Sequence, residues 1–261
     1  MDNPMVWDYE SQYKDMLSTV LREGIHRDDR TGVGCTSAFN LSMRLDVSEY
    51  FPILRGRKMF PKIFNTEFQW LMNGETNTKR LTDAGVTIWN EWADENGELG
   101  PVYGHQLRNF NSQDIDQLTD LIFNIRTDPD SRRHVISLWN PAQIGQMALP
   151  PCYLYFQFFV DGDKLNMFAL QRSGDVFLGI PYDVALFTNI LNHVAFMCDL
   201  RPSILDISII DAHVYDNQLE AVETYMKATT DYPRTTYKFE NNKTTLTDYQ
   251  HGPVITAPVA I

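Results

Sequence analysis

Residues 150–183 read PPCYLYFQFFVDGDKLNMFALQRSGDVFLGIPYD, and the fold turns on how that stretch is parsed. Two short apolar runs, 153–160 and 165–171, flank a small polar connection and read as strands. Asp183 stands where a cap belongs, ahead of a helix expected from about 184 to 199. A strand at 206–212 and a helix at 215–228 are expected next, then an irregular tail ending in APVAI (257–261). Upstream, Tyr13, Met16, Leu17, Val20 and Leu21 share one stripe of a helix over 7–23, closed by Gly24. A polar basic turn, IHRDDRTGVG, follows it. Phe39, Leu41, Met43 and Leu45 then alternate with polar residues, the period of a half-buried strand. Residues 63–73 look helical and are unusually apolar for a segment holding Glu67. Residues 86–111 are aromatic and loop-rich, a helix is expected at 114–126, and a strand at 134–139. No repeat or linker interrupts this order, so 1–261 reads as a single α+β domain on a mixed sheet packed with helices.

Composition narrows the partners. The net charge of −12 repels nucleic-acid polymers and anionic lipid, so neither is expected as a partner. A small anion remains possible wherever arginines cluster. Three cysteines without paired spacing fit a reduced, cytoplasmic protein, and no CxxC or HExxH spacing marks a metal site. The first residues, MDNPMVWDYESQYKDM, are polar and acidic, unlike a leader, and no apolar run approaches the roughly 18 residues of a membrane span.

Taken bare, Cys152 after two prolines is more often a small buried apolar residue than a nucleophile. Arg172-Ser173 at the end of an apolar strand is less ordinary, because a guanidinium beside a hydroxyl suits phosphate. Arg132 and Arg133 in DPDSRR, and Arg30 in the RTGVG turn, add further forks. A glutamate at 67 on an apolar helix is costly unless used or paired.

In order along the chain stand RTGVG (30–34), TIWNEWADENGELGPVYG (87–104), DPDSRR (128–133), LPPC (149–152), QRSGDVFLGIP (171–181), DAHVY (211–215) and the terminal APVAI. With these motifs the chain resembles the thymidylate synthase family from its first helix to its last residue. The resemblance implies a sheet-to-sheet homodimer and 5,10-methylene-tetrahydrofolate as co-substrate. It implies Cys152 as the thiolate that adds to C6 of a pyrimidine, its pKa lowered toward neutrality by Arg172. Arg30, Arg172 and Ser173, with Gln171 beside them, would form the phosphate and nucleotide cradle, joined by Arg132 and Arg133 from the partner subunit. His213 and Tyr215 would hold the sugar hydroxyl, and Glu67 would serve as general acid–base. Tyr103, Asp175 and Gly179 would shape the nucleotide and folate pockets, with Tyr182 on the folate side. Trp89 and Trp92 would wall the folate, and Val259, Ala260 and Ile261 would close over both ligands.

The resemblance also isolates departures. The family carries asparagine in the slot of Asp183, where one donor and one acceptor match uracil. A carboxyl group with a shared proton answers the reversed edge of cytosine, and relatives from viruses that modify their own DNA bear aspartate there. Deoxycytidylate (dCMP) is therefore the expected substrate, with deoxyuridylate (dUMP) as the rival. Capping of the next helix would tolerate either residue. Tyr153 replaces a frequent histidine, Phe60 a folate-side residue, and Asn90 an aspartate. Retention of both tryptophans and the APVAI tail favours a sealed site and a methyl product over hydroxymethyl. Outside this family, a cysteine hydrolase would need His134 or His213 to orient Cys152, and no oxyanion-type glycine motif follows the cysteine. An idle RNA-binding scaffold is opposed by the acidic charge.

Overall fold

The computed structural model describes residues 8–260. The first helix, α1 (Tyr9–Glu23), begins where the Asp8 carboxylate accepts the Ser11 N–H, and it buries Tyr13, Met16, Leu17 and Val20. Residue 7 lies outside the described residues, and Leu21, expected on the same stripe, is turned outward. The helix packs on a six-stranded sheet ordered β1-β2-β6-β5-β4-β3. Its strands are β1 (Ile25–Arg27), β2 (Cys35–Asp46), β3 (Val135–Ser137), β4 (Tyr153–Asp161), β5 (Lys164–Asp175) and β6 (Arg201–Tyr215). Every neighbouring pair is antiparallel except β5 with β6. That single parallel pair requires a crossover, which α6 (Ile180–Met197) supplies. The sheet is mixed, as expected.

Contact between α6 and β5 is close. A side chain at Gly174 would bring its Cβ within 2.4 Å of Ile180 Cδ1 at the start of the helix. From Ile180 to Ala195, α6 is buried apart from Tyr182 and Asp183 and mostly apolar, while Phe196 and Met197 at its end are exposed. On its other side lies α2 (Pro61–Met72), which carries Glu67 and opens with proline in its first turn. Short helices α3 (Lys79–Asp83), α4 (Tyr103–Arg108) and α5 (Gln117–Thr127) complete this layer, and α7 (Leu219–Lys227) packs its Tyr225 against Tyr13 of α1. The opposite face of the sheet is open and partly apolar, with Phe159 and Ile210 exposed.

Several expected boundaries move for identifiable reasons. Helix α6 starts three residues before Asp183, because Pro181 is compatible with a first turn and Gly179 begins it; Asp183 is not the cap. Strand β6 runs on through Tyr215, so the expected 215–228 helix contracts to α7. The basic turn contains an edge strand, β1, and the loop-rich 86–111 stretch contains α4. Phe39 is 81% exposed although Met43 and Leu45 on the same strand are buried; Asn40, at φ 55°, breaks the alternation between them. The tail is not wholly irregular. Strands β7 (Thr236–Glu240) and β8 (Lys243–Thr247) form a hairpin about Asn241-Asn242, both at positive φ as a tight primed turn requires. The hairpin is pinned by Thr244, whose N–H donates to Asn65 Oδ1 (2.9 Å) and whose hydroxyl donates to Asn189 Oδ1 (2.6 Å).

Glu10, in the first turn of α1, ties that helix to the rest of the fold. Only 2% exposed, its carboxylate accepts the Gly56 N–H (3.0 Å) and hydroxyl of Tyr225. Glu10→Ala leaves those buried donors unpaired, and a loss of about 3 kcal/mol or more of folding free energy is expected in urea titration. A loss below about 1 kcal/mol would mean the carboxylate does not organise the 52–58 loop.

Candidate active site

A cavity of about 380 Å³ opens where the C-terminal ends of β5 and β6 meet α2, α4, α6 and the chain's tail. The parallel register places Ser173 beside Asp211 and Asp175 beside His213, so two strand ends line one wall together. Arg30, Arg172, Ser173, His213 and Tyr215 stand on that wall with Cys152. The facing walls are Glu67, Trp89, Trp92, Tyr103, Tyr182 and Asp183, and Val259 and Ala260 border it from the tail. Ala260 is 7% exposed; Ile261 lies outside the described residues.

Cys152 sits just before β4. Its backbone N–H donates to the Tyr103 hydroxyl (2.7 Å), and its carbonyl accepts the Arg172 N–H (2.8 Å). The Arg172 guanidinium turns back on the same segment, donating Nε to Pro151 O and Nη2 to Pro150 O, each at 2.8 Å. The two prolines, which cannot donate, thus present carbonyls that anchor the cation. Its Nη2 lies 3.6 Å from the Cys152 Sγ, and Nη1 donates to the Ser173 hydroxyl (2.9 Å). The expected lowering of the thiol pKa is overturned. Burial pushes the Cys152 thiol up; Arg172 opposes this but is outweighed, and the Asp183 carboxyl adds to the rise. Near neutral pH the Cys152 side chain is therefore a thiol.

Three carboxyl groups, Glu67, Asp175 and Asp183, line the same cavity. Glu67 accepts the Trp89 indole N–H (3.0 Å), and burial, reinforced by Asp183, pushes its pKa up to about 7. Asp183, also pushed up to about 7 by burial, accepts the Gln171 amide N–H at 2.7 Å on Oδ2. Gln171 is wholly buried, does not border the cavity, and reaches it only through Asp183; among the described residues its own Oε1 has no hydrogen-bond partner. Asp175 anchors the turn that leads into α6. Its Oδ1 accepts the Phe177 and Leu178 N–H groups (2.9 Å each), and Oδ2 accepts from Gln218 Nε2 (2.7 Å). Burial lowers the affinity of His213 for its proton, but its hydrogen bond to Asp211 and the nearby Asp175 charge prevail and raise its pKa overall. Tyr215, pushed up to about 12 chiefly by burial, keeps its proton at neutral pH.

The structure does not bring every expected residue here. Arg132 and Arg133 are exposed and border no part of the cavity in this chain. Phe60 and Asn90 lie outside it as well, Phe60 beneath the Lys58 ammonium and Asn90 accepting from Thr82. Tyr153, noted in the sequence as replacing a histidine, borders the cavity, and so do Ile63, Ile88, Leu149 and Leu178, which had not been singled out. Ile88, Leu149 and Leu178 lie within the quoted motifs, so their neighbours were the only signal. Gln218 was missed because its partner, Asp175, is distant in sequence.

A family model described as Thymidylate synthase matches residues 11–261. The chain belongs to the thymidylate synthase family. Folate-dependent methylation of a pyrimidine nucleotide at C5 follows from that membership, with methylenetetrahydrofolate as co-substrate. The walls suit a flat, largely apolar group. Two indoles, Tyr182, Leu178 and Ile63 border the cavity, and among the described residues the buried Trp92 indole N–H has no partner. Among the described residues no cluster of His, Cys, Asp or Glu is arranged to hold a metal, and no helix is long and apolar enough to cross a membrane.

Because the thiol is raised, alkylation of Cys152 by iodoacetamide should rise with pH through a midpoint above the ordinary thiol value of about 8.5. Arg172 opposes the rise, so Arg172→Gln should move the midpoint further up. A midpoint near 7 in the free enzyme would refute this reading of the resting thiol.

Proposed function

We propose that this thymidylate synthase family member methylates dCMP, giving 5-methyl-dCMP and dihydrofolate. The observation that carries the substrate assignment is Asp183 on the cavity wall, with one oxygen committed to Gln171. Oδ2 accepts from the amide, so in the neutral acid the proton belongs on Oδ1. Set against cytosine, Oδ1–H donates to N3 and Oδ2 accepts from the 4-amino group. A uracil ring in the same pose meets the reverse need, an acceptor for N3–H and a donor for O4, and the ionised carboxylate meets O4 acceptor to acceptor. The raised pKa supports this reading, because it keeps a proton available near neutrality.

In the proposed reaction, Cys152 loses its proton and adds to C6 of the ring. The proton on Asp183, shared with N3, draws charge from the ring and eases that addition. Glu67, held by Trp89 and poised near neutrality, moves protons at the base and at C5. Arg30, Arg172 and Ser173 take the phosphate, and His213 and Tyr215 the sugar hydroxyl. Trp89, Trp92, Tyr182, Asp175 and Gly179 would hold the folate, which supplies the one-carbon unit and the reducing hydride. Ala260, buried at the rim, and the two tryptophans exclude water, which favours reduction to methyl over capture by water. The site is completed in a homodimer joined through the open sheet face, where exposed Phe159 and Ile210 supply apolar surface and from which Arg132 and Arg133 reach the partner's phosphate.

The test pairs the protein and methylenetetrahydrofolate with dCMP or dUMP, following dihydrofolate absorbance and the mass of the nucleotide product. Turnover of dCMP with gain of a methyl group is expected, and Asp183→Asn should swing the preference toward dUMP by roughly two orders of magnitude or more. Equal efficiency on dUMP with the unaltered protein overturns the substrate assignment; gain of a hydroxymethyl group overturns the product.

A further inference from the structure

Tyr153 opens β4 directly after the nucleophile, and the proposed chemistry has so far left it idle. Its side chain is 3% exposed yet borders the cavity. The ring is stacked on Tyr103, centroids 4.2 Å apart and planes 29° apart. Its edge contact with Phe187 is 5.2 Å between centroids. Phe187 lies one turn beyond Asp183 on α6, so the phenol rests against the helix face that bears the carboxyl. Its partner across the β4–β5 ladder is Gln171, the donor to Asp183. On the other side Tyr103 meets Trp89 at 5.6 Å, and Trp89 holds Glu67.

Tyr153 therefore stands midway along a row that runs from Asp183 to Glu67. Gln171, Tyr103, Trp89 and both carboxyls each have a hydrogen bond in that row or beside it. Among the described residues the Tyr153 hydroxyl has none. A phenol offers one proton and two lone pairs, and both capacities are open here. Burial first, then the neighbouring Tyr103, Glu67, Asp183 and Cys152, keep the proton on its oxygen.

We propose that Tyr153 is a second specificity-determining residue for the base, its hydroxyl donating to the Glu67 carboxylate and accepting an N–H from the 4-amino group of cytosine. The proposal rests on the dCMP assignment. That amino group carries two hydrogens. Asp183 takes one, and the second needs an acceptor on the same side of the ring. A hydroxyl whose proton is engaged by Glu67 has only lone pairs left to offer. Uracil O4 brings lone pairs of its own, so against it the hydroxyl must leave Glu67 or remain unpaired.

Tyr153→Phe keeps the ring and its stacking and removes only the oxygen. The ratio of kcat/KM for dCMP over dUMP should fall about tenfold, the worth of one buried hydrogen bond. The pH limb belonging to Glu67 should move up, since losing a donor disfavours the carboxylate. The charged or titratable groups facing that site are Asp183 from α6, Tyr103 from α4, Cys152, and Arg172 from β5. Asp183→Asn, which removes a like charge, should move the same limb down, so the two variants have opposite signs. An unchanged ratio in Tyr153→Phe with an unmoved limb overturns the proposal while leaving the dCMP assignment standing. If the unaltered protein prefers dUMP, the assignment falls and the acceptor role with it; the limb measured on dUMP then decides whether the hydroxyl donates to Glu67.

Discussion

The parallel pairing of β5 with β6 is the constraint on which the site depends. An antiparallel neighbour could have been reached by a short turn, but a parallel one needs a crossover that returns to the end of the sheet where β5 began. Helix α6 makes that return, so its first turn stands over the ends of both strands. Arg172, Ser173 and Asp175 then share a wall with His213 and Tyr215, and Asp183 overlooks them from the helix. Residues forty positions apart in sequence come together because one ladder runs with its neighbour instead of against it. Ligand sites at strand ends of this kind follow from the same geometry in other mixed and parallel sheets.

Burial does the electrical tuning of that wall. Asp183 and Glu67 are both raised toward neutrality by loss of water, while Cys152 is raised away from it. One desolvated environment therefore holds two acids ready to exchange protons and keeps the sulfur protonated at rest. The cation that the sequence places next to the thiol is real, but its hydrogen bonds go to the carbonyls of Pro150 and Pro151 as well. Charge that is shared among those carbonyls, the Ser173 hydroxyl and the sulfur stabilises any one of them less.

Much of this was legible in the residues. Period-two and helical patterns located α1, β2, β4, β5 and the mixed α+β layout, because each has one wet and one dry face. The chemistry-bearing positions Cys152, Glu67, Asp183, Arg172 and His213 do converge on a single cavity. What could not be read was direction and reach. Asp183 looked like a cap because aspartate caps helices, yet Pro181 had already marked a start upstream. The β7–β8 hairpin was passed over because its strands are only five residues each; the period-two Tyr237 and Phe239, and Asn241-Asn242 at the turn, were the signals that could have found it. The union of Gln171 with Asp183 and of Gln218 with Asp175 joins separate elements, and no local pattern reports such a contact.

Gly174 has no functional atom to contribute, yet it sets how near α6 can come to β5. Since the helix is seated by backbone clearance and by its apolar sides, the residue at position 183 has only its bond to Gln171 to keep, and an amide oxygen there could accept that N–H as the carboxylate does. Ancestral changes in which base this scaffold reads could then proceed by altering one side chain on an unmoved frame, without passing through a misfolded intermediate.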